Sequence, residues 1–398
     1  MRIVYHHRTR ATDAQGIHIA EIVNAFRGLG HTVEVVSLVK PGSSAPAGSH
    51  SKNPKQARFV PFLNEIVQLG YNLLGVPMLL RRLLSSPADF IYERYSLFNF
   101  AGVFVARLTG TPIILEVNSP LAWEQHREGA IRLFALARWT ERVICNLATR
   151  VIVVSTPLKE MMEANGVKPS KLVVMPNGVD PDFFQTGEDV SGYRRKLNLE
   201  GKVVFGFAGW FKKWHGVELL LEAFRQPSLA ETGAVLLLIG DGPAMPDLRA
   251  YTAAHGLGDH VVFTGPVPHN EVSKYLSLAD IAVQPAANEY CCPMKILEYM
   301  ALAKPIVAPR QANILDLLRE DEAYLFEPGS VHELALALAD LARDVQRREY
   351  LGQLAHRAIR EREYLWKRNA ARVVAMAASA ANLRPGHARH TPMPIDEA

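Results

Sequence analysis

Short apolar runs alternate with longer amphipathic segments along most of the chain. The first series of runs covers residues 2–5, 32–38, 90–92, 112–116 and 150–154. Between the first two runs, residues 16–28 have the periodicity of a helix. Near-continuous apolar runs are typical of parallel strands buried on both faces, and helices usually connect such strands. The pattern therefore predicts an α/β unit with a parallel sheet.

A second series of the same kind follows a polar stretch at residues 186–192. Its strands are predicted at 203–208, 234–239, 261–263, 281–283 and 305–308, with a helix at 216–225. Segments 331–343 and 346–372 are helical by periodicity, and the last residues are rich in proline. We therefore predict α/β Rossmann-like domains over 1–190 and 191–360, a C-terminal helix over 361–383 and a disordered tail over 384–398.

The charge is distributed unevenly between the two ends of the chain. The 398 residues carry a net charge of +4. Residues 1–150 hold 17 Lys and Arg against 10 Asp and Glu, which is +7, so the remainder is −3. A basic half is attracted to phosphorylated ligands or acidic lipid headgroups, although an unevenly solvated surface is the alternative.

The chain has no sequence feature of export or membrane spanning. No apolar leader segment follows Met1, and the most apolar segment, residues 62–84, is interrupted by Glu65, Arg81 and Arg82. That segment predicts a helix that lies in a membrane interface or packs on a sheet. Three cysteines without zinc-site spacing favour a reducing compartment. We expect a cytoplasmic protein, with a peripheral location on the inner face of the plasma membrane as the membrane alternative.

The loops that follow the strands hold the candidate binding residues, because open parallel sheets bind ligands at the carboxyl ends of their strands. Two such sheets facing each other would leave a cleft between them. In the first loop, Gly16 opens a helix whose free N–H groups suit a phosphate or an acceptor oxygen. In the loop at 209–216, Lys212, Lys213 and His215 stand between glycines and are suited to a diphosphate, with a solvated lysine turn as the alternative.

The loop at 289–298 leads into another predicted helix. Pro293 and Met294 stand at its start, Lys295 adds a positive charge, and Glu298 lies one helical turn further on. A carboxylate at that place can accept both hydroxyl groups of a ribose, although it could equally be a surface glutamate. The three loops together predict a site for a phosphorylated ligand.

Several motifs resemble glycosyltransferase family 4, the retaining GT-B enzymes. They are Pro176-Asn177-Gly178, Gly240-Asp241-Gly242-Pro243, Phe263-Thr264-Gly265 and the segment 298–307. The resemblance extends to Gly16-Ile17-His18 with Glu21, to Gly30-His31, and to Tyr364-Leu365-Trp366 with Asn369. Each motif alone is weak, but their order and spacing over about 300 residues agree with the tandem α/β pattern.

The resemblance implies a nucleotide-sugar donor in the C-terminal domain, an acceptor mainly in the N-terminal domain, and a final helix that returns to the N-terminal domain. Glu298 then corresponds to the ribose-binding glutamate, and Lys212 or Lys213 would hold the diphosphate. Backbone groups around Val267 would line the base pocket. The donor-binding set is Gly16, Gly209, Lys212, Lys213, His215, Val267, Cys292, Pro293, Met294, Lys295 and Glu298.

Three departures from the family pattern affect the catalytic candidates. Tyr290 stands where the family commonly has its first glutamate, and Glu289 is one place away. Trp210 replaces the usual arginine of the phosphate loop, which resembles a Trp-His-Gly variant seen within the family. The usual histidine after the fourth strand is missing, so Asn118 is the candidate there, with Glu116 as the alternative. The catalytic candidates are Asn118, Lys212 and Glu289.

The family implies a hexosyltransferase-type enzyme that retains the anomeric configuration. A front-side displacement, in which the leaving phosphate helps to accept the acceptor proton, fits that implication. Because the sequence Asp180-Pro181-Asp182 lies in a loop after Pro176-Asn177-Gly178 and no Asp-x-Asp metal motif follows a strand at a plausible place, we expect lysines and helix N-termini to stabilise the leaving diphosphate without a metal or other cofactor. The expected partners are a nucleotide sugar, a saccharide or lipid-linked acceptor of bacterial surface polysaccharide or glycolipid synthesis, and an anionic membrane, but no nucleic acid.

Two other functions stay open at this point. A nucleotide-sugar epimerase on the same fold would require more acid and base groups than His215 and Glu116 provide. A nucleotide-sugar-binding protein without catalytic activity would tolerate the missing glutamate and histidine. Sugar transfer, epimer formation and binding without turnover separate the three functions.

Overall fold

The computed structural model describes residues 1–9, 14–37, 54–187 and 189–382. The predicted tail at 384–398 lies outside these residues. The chain divides into two compact units. Residues 1–152, 162–173 and those from 370 onward belong to the first unit, and residues 153–161 and 174–369 belong to the second. The predicted domain boundaries near 190 and 360 stay predictions.

The first unit is built on a six-stranded sheet. Its strands are β1 (Arg2–His6), β2 (Thr32–Val36), β3 (Phe90–Arg94), β4 (Ile113–Val117), β5 (Arg150–Val153) and β6 (Leu172–Val174). They lie in the order β2-β1-β3-β4-β5-β6, and the pairs β1–β2, β1–β3 and β3–β4 are parallel. Every residue of β3 and β4 is buried, which explains why both strands read as apolar runs.

The helices up to residue 164 are α1 (Ala14–Gly28), α2 (Pro54–Ser85), α3 (Ala101–Thr109), α4 (Leu121–Arg127), α5 (Phe134–Leu147) and α6 (Thr156–Ala164). The predicted helix at 62–84 is therefore confirmed as part of α2. No helix within the described residues is long and apolar enough to cross a membrane. Helix α2 packs against α3, and its Glu65 bonds to the backbone of Arg132 and Leu133.

The second unit repeats the architecture. Its strands are β7 (Val204–Trp210), β8 (Val235–Asp241), β9 (Val261–Gly265), β10 (Ile281–Val283), β11 (Ile306–Pro309) and β12 (Tyr324–Phe326). The order is β12-β11-β10-β7-β8-β9, and all five pairs are parallel. The tandem α/β prediction is confirmed, although the three-residue strands β6 and β12 are too short to show a periodic pattern in the sequence.

The helices of the second unit are mostly short. They are α7 (Ser191–Lys196), α8 (Val217–Ala223), α9 (Pro227–Ala230), α10 (Met245–Ala254), α11 (Val272–Ser277), α12 (Met294–Ala301), α13 (Ala312–Leu315), α14 (Val331–Arg343) and α15 (Val345–Glu361). The last helix, α16 (Trp366–Asn382), starts in this unit, and its residues from 370 onward belong to the first unit. The buried core contains Phe205, Phe207, Leu236 and Leu238 from the central strands.

The segment 346–372, helical by periodicity, is interrupted, because the chain breaks between α15 and α16. Glu363 has a φ of 54°, which is outside the helical region. The carbonyl of Tyr364 accepts a hydrogen bond from the N–H of Val179 at 2.9 Å. The backbone at 364–365 thus bonds to the segment around Val179 instead of continuing the helix, and helical periodicity on both sides of the break concealed it.

The ends of β7 and β8 approach each other so closely that only glycine fits. Gly240 has a φ of 120°, and a Cβ atom there would lie 2.2 Å from the carbonyl oxygen of Gly209. A Cβ atom at Gly209 would lie 2.6 Å from Cε of Lys295. The glycines therefore set the shape of the loop after β7 and make room for the Lys295 side chain.

Replacing Gly240 tests this close approach. We expect Gly240→Ala to lower the free energy of unfolding of the second unit by about 2–5 kcal/mol, because the left-handed backbone is strained and the contact is with backbone. The matched control is Gly258→Ala, since a Cβ atom there meets nothing within 4 Å. Chemical denaturation measures both variants, and an equal small effect of the two substitutions would contradict the close approach.

Candidate functional site

The candidate donor residues gather at the carboxyl edge of the second sheet. Strand β7 lies between β10 and β8, so the loops after β7 and β10 leave the sheet side by side where the strand order reverses. Such a point is where open α/β sheets bind ligands. The first of these loops contains a short 3₁₀ helix at Lys213–His215, and the second leads into α12.

Lys295 on α12 connects the two loops. Its Nζ lies 3.2 Å from Nε2 of His215 and 5.4 Å from the centre of the Phe207 ring. Burial lowers the pKa of Lys295, the nearby charge of Glu298 opposes this, and the charge of Lys212 lowers it further. The ammonium therefore sits beside a second cation in a partly dehydrated place, where an anion is stabilising.

His215 is neutral at physiological pH. Burial lowers its pKa to about 2, and the neighbouring charges of Lys295 and Lys212 act in the same direction. Nε2 of His215 lies 3.2 Å from Nζ of Lys295, and Nδ1 lies 3.3 Å from the backbone nitrogen of Lys212. His215 thus fixes the position of the lysine and adds no charge of its own.

The other predicted donor residues lie in the same unit with different exposure. Lys212 and Lys213 are exposed, and Glu298 is half-buried one turn after Lys295 on α12. Val267 is half-buried in the segment after β9. Pro293 is the N-cap residue of α12 and Met294 its first residue, so the free N–H groups of that helix start lie next to the Lys295 side chain.

Three buried polar side chains hold the loop between β10 and α12. Ser155 donates to the carbonyl of Tyr290 at 2.7 Å, and the Asn313 amide donates to the carbonyls of Asn288 and Cys291 at 3.0 and 2.8 Å. The Asn177 amide donates to the carbonyl of Cys292 at 2.9 Å. These hydrogen bonds, called clamps below, satisfy the carbonyl groups of the loop and fix the loop backbone. A buried carbonyl group without a hydrogen-bond partner would cost free energy.

Sequence reasoning missed Ser155 and Asn313 and gave Asn177 no role. Asn177 belongs to the Pro176-Asn177-Gly178 motif, which was a usable signal. Gly178 in the same motif faces the start of α16, because a Cβ atom there would lie 2.3 Å from the backbone nitrogen of Trp366. The motif therefore has a structural purpose, which is to attach this turn to two distant segments of the second unit.

The side chains in the clamped loop point in different directions. Tyr290 is buried, whereas the neighbouring Glu289 is exposed. Cys292 is buried and its Sγ accepts the N–H of Asn177 at 3.3 Å. Burial raises the pKa of the Cys292 thiol, so this residue acts as packing and is not a thiolate nucleophile.

The first unit holds a separate buried polar network around Glu116, at the end of β4. Tyr92 donates to this carboxylate at 2.7 Å, Arg94 at 3.1 Å and the Asn118 amide at 2.5 Å. His18 of α1 lies 3.1 Å away. Burial opposes ionisation of Glu116, but His18, Arg94 and the two neutral donors outweigh it and lower its pKa.

Asn118 is therefore positioned by Glu116. The amide nitrogen of Asn118 faces the carboxylate, so its amide oxygen points away and can accept a hydrogen bond from a ligand hydroxyl group. Glu116 itself is fully engaged, which makes it a residue that orients Asn118. Gly16 is half-buried in the first turn of α1, two residues before His18.

A second buried pair lies beside this network. His6 and Glu93 are fully buried, with Nδ1 and the carboxylate 2.5 Å apart, and Nε2 of His6 lies 3.0 Å from the Tyr71 hydroxyl. A Cβ atom at Gly102 would lie 1.8 Å from the Glu93 carboxylate, so glycine is required for this pair to fit. The sequence alone did not predict this pair, because its two members are 87 positions apart.

The structure thus places the candidates in two groups. Gly209, Lys212, His215, Lys295 and Glu298 are together in the second unit, and Asn118 and Gly16 belong to the first unit. Within the described residues, no three His, Cys, Asp or Glu side chains are grouped so that they could hold a metal ion.

Both units match known families. Residues 15–183 match the family described as Glycosyltransferase Family 4, and residues 202–344 match Glycosyl transferases group 1. The chain is 26% identical to the alpha-D-kanosaminyltransferase of Streptomyces kanamyceticus over 64% of this chain and 68% of that protein. It is 24% identical to the UDP-Gal:alpha-D-GlcNAc-diphosphoundecaprenol alpha-1,3-galactosyltransferase of Escherichia coli over 76% of this chain and 78% of that one.

A solved structure shares the fold. Anabaena Alr3699/HepE in complex with UDP superposes with a TM-score of 0.70 over 95% of this chain and 100% of that chain. The identity is 17%, so this likeness shows the fold alone.

The low pKa of His215 makes a prediction about stability. Unfolding returns this ring to an ordinary pKa near 6.5, so below that pH the unfolded chain binds a proton that the folded one does not. The contribution of His215 to the free energy of unfolding is fully present above pH 6.5. Below that pH it falls by about 1.4 kcal/mol per pH unit. We expect His215→Gln to remove that slope in the second unit between pH 6.5 and 4, measured by calorimetry.

The matched control is His332→Gln, because His332 is exposed on α14. In the parent and the control, the free energy of unfolding should fall with the same slope below pH 6.5. If His215→Gln is as acid-sensitive as the parent, the ring is not buried and neutral in the folded protein.

Proposed function

Because the chain belongs to the family 4 glycosyltransferases and has their GT-B fold, we propose that it transfers a sugar from a nucleotide diphosphate sugar to an acceptor hydroxyl group with retention at the anomeric carbon. The observation that supports the donor site most strongly is the position of the half-buried Lys295 side chain. This side chain lies against neutral His215 and an aromatic face, next to the cationic Lys212.

The anion that we propose for this cationic site is the diphosphate of the donor. In our proposal Lys295 contacts the phosphates from one side, and exposed Lys212 and Lys213 close over them from the loop after β7. Free N–H groups at the start of α12 add a dipole of the same sign. A site of this kind is fixed before the reaction, so it stabilises the negative charge that develops on the leaving diphosphate.

The rest of the donor would extend along the same edge of the second sheet. In this proposal Glu298, one turn after Lys295 on α12, accepts hydrogen bonds from the two ribose hydroxyl groups. Backbone around Val267, after β9, would line the base. The clamped loop with Glu289, Cys292, Pro293 and Met294 would contact the transferred sugar, and Glu289 is its exposed carboxylate.

The chemistry is a substitution on one face of the sugar. The acceptor oxygen forms the new bond to the anomeric carbon, the bond to the diphosphate oxygen breaks, and that phosphate oxygen takes the acceptor proton. Asn118 of the first unit would accept a hydrogen bond from an acceptor hydroxyl group, because Glu116 fixes its amide. Lysines and helix dipoles carry the charge in this proposal, which makes the reaction independent of a metal.

We further propose a lipid-linked acceptor of bacterial surface polysaccharide or glycolipid synthesis, reached at an anionic membrane on the cytoplasmic side. The Escherichia coli relative acts, by its name, on a diphosphoundecaprenol-linked sugar. The surface of α2 supports this proposal. Its outer face, defined as Leu63, Ile66, Val67, Leu73 and Leu74, is exposed, with Val67 71% and Leu73 81% accessible.

The first part of α2 buries polar side chains and exposes apolar ones, whereas Leu79 and Leu83 further along are buried. Its buried side carries Glu65, whose carboxylate accepts the backbone N–H groups of Arg132 and Leu133 at 3.0 and 2.8 Å. Asn72 on the same side bonds to the backbone at Phe98 and Phe100. Apolar side chains on the outer face and exposed Arg81 near its end fit the interface of an anionic bilayer.

Removal of the donor-site cations tests the reaction. We expect Lys295→Met to lower kcat by about 10²–10³-fold, because preorganised charge on the leaving group is lost. Glu298→Gln should raise the donor KM by about tenfold with a smaller change in kcat, because one charge-assisted contact to the ribose is weakened. A panel of nucleoside diphosphate sugars supplies the donor, and NMR of the product determines the anomeric configuration.

The control is Lys202→Met, since Lys202 is exposed outside the donor loops. Equal turnover by parent, Lys295→Met and control would disprove the assigned site. Epimer formation from the donor alone would identify an epimerase, and donor binding without transfer to any acceptor would identify a binding protein.

The outer face of α2 has its own test. We expect Leu73→Ser/Leu74→Ser to weaken binding to vesicles of phosphatidylglycerol and phosphatidylcholine by about 10²–10⁴-fold, since each of the two exposed leucines loses about 1.5–3 kcal/mol of burial in the bilayer. The matched control is Leu315→Ser/Leu336→Ser, because these leucines are exposed in the second unit. Vesicle flotation at low and high salt measures both, and unchanged binding of the α2 variant refutes the membrane contact.

A further inference from the structure

A groove of about 760 Å³ lies in the first unit, at the edge of the sheet opposite to the Glu116 network. Its walls are the C-terminal ends of α3 and α5, the first residues of β4 and β5, and one face of α16. Ile113 in the groove and Glu116 in the network are three residues apart on β4, which is about 10 Å along a strand. The groove is therefore distinct from the candidate site described above.

Three cationic side chains of different segments line this groove. They are Arg107 of α3, Arg150 of β5 and Lys171, which directly precedes β6. Arg107 donates to the carbonyl of Leu147 at 3.4 Å, Arg150 to that of Thr149 at 3.3 Å, and Lys171 to that of Ala148 at 2.8 Å. Each cation uses one donor on backbone, and most of its N–H groups stay available to a ligand.

Positive charge in the groove exceeds what the backbone neutralises. Within the described part of the chain, none of the three cations forms an ion pair with a carboxylate. The C-terminal ends of α3 and α5 together supply roughly −1 charge. Arg107, Arg150, Lys171 and nearby Lys168 carry four positive charges. Burial of Lys171 and the like charges of the other three lower the pKa of Lys171. An excess of roughly +3 remains, which is more than capping of two helix ends requires.

The remainder of the groove lining is mostly small or apolar. Ala106 comes from α3, Ile113 from β4 and Leu147 from α5, and Ala375 and Met376 come from α16. Cations beside an apolar floor suit an anion that carries several oxygens and tolerates a nonpolar neighbour. Arginine donors are well matched to phosphate oxygens, because they can bind two of them at once.

We propose that this groove is a binding site for a phosphate-bearing anion, with Arg107, Arg150 and Lys171 as its ligands. The phosphate comes from a soluble diphosphate or from a lipid headgroup, and the two sources share the same recognition chemistry. The site does not depend on sugar transfer, because it lies outside the donor residues and uses none of them.

The experiment measures binding of inorganic pyrophosphate to the full-length chain by calorimetry at low ionic strength, without any nucleotide sugar. The test variant is Arg107→Gln/Arg150→Gln/Lys171→Gln, which removes three charges at positions where the side chains contact only backbone. The matched control is Arg195→Gln/Lys196→Gln/Lys202→Gln, three exposed cations close together in the second unit. Lys212→Gln/Lys213→Gln separates binding at the donor loops.

We expect the groove variant to lose affinity by at least about thirtyfold, and the other two variants to retain a pyrophosphate site close to that of the parent. Melting temperatures close to the parent value would show that the groove variant folds. The proposal fails if the folded groove variant binds both pyrophosphate and phosphatidylglycerol vesicles as the parent does, or if the parent binds neither.

The vesicle arm distinguishes the two sources. Loss of pyrophosphate binding with unchanged vesicle flotation assigns the groove to a soluble phosphate compound. Loss of flotation in the groove variant, at the level of the α2 variant, assigns it to a lipid phosphate. Either loss supports the site, and the control variant must show neither.

Discussion

Parallel pairing of the strands is the constraint on which the rest of this structure depends. In the second sheet, β7 pairs with β8 on one side and β10 on the other, so the loops after β7 and β10 emerge next to each other. That adjacency brings Lys295 to His215, two residues that are 80 positions apart. In the first sheet, the same rule aligns the ends of β1, β3 and β4, where His6, Arg94 and Glu116 lie. The binding residues are thus a consequence of strand order.

Buried polar groups are satisfied at both edges, and this gives the loops their rigidity. The loop between β10 and α12 contains no regular structure, yet three side chains from distant segments bind its carbonyls. Glu116 collects donors from Tyr92, Arg94 and Asn118 in the same way. Because an unpaired buried carbonyl or carboxylate costs more free energy than a typical hydrogen bond contributes, these clamps restrict each loop to one conformation. A preorganised site is the functional result.

Two surfaces of the first unit have a composition that the described part of their own fold does not explain. The outer face of α2 is apolar where a surface helix is normally polar, because the polar residues Glu65 and Asn72 are used for internal hydrogen bonds. The groove between α3, α5 and α16 concentrates cations beside small side chains. Part of the +7 charge excess of residues 1–150 is therefore concentrated at two places. One is the groove, and the other is the end of α2.

The sequence by itself determined the two α/β units, most strand positions and the loops that carry Lys212, Lys295 and Glu298, because alternating apolar runs and glycine-rich turns are local signals. Its motifs also indicated the family. Only the tertiary structure decided that His215 is neutral and contacts Lys295, that Glu116 orients Asn118, and that Ser155 and Asn313 hold the loop with Glu289. It also decided the break before α16 and the meeting of Arg107, Arg150 and Lys171. These features come from contacts between residues far apart in the chain, and burial, which sets their charge state, is a property of the packed fold that no local pattern encodes.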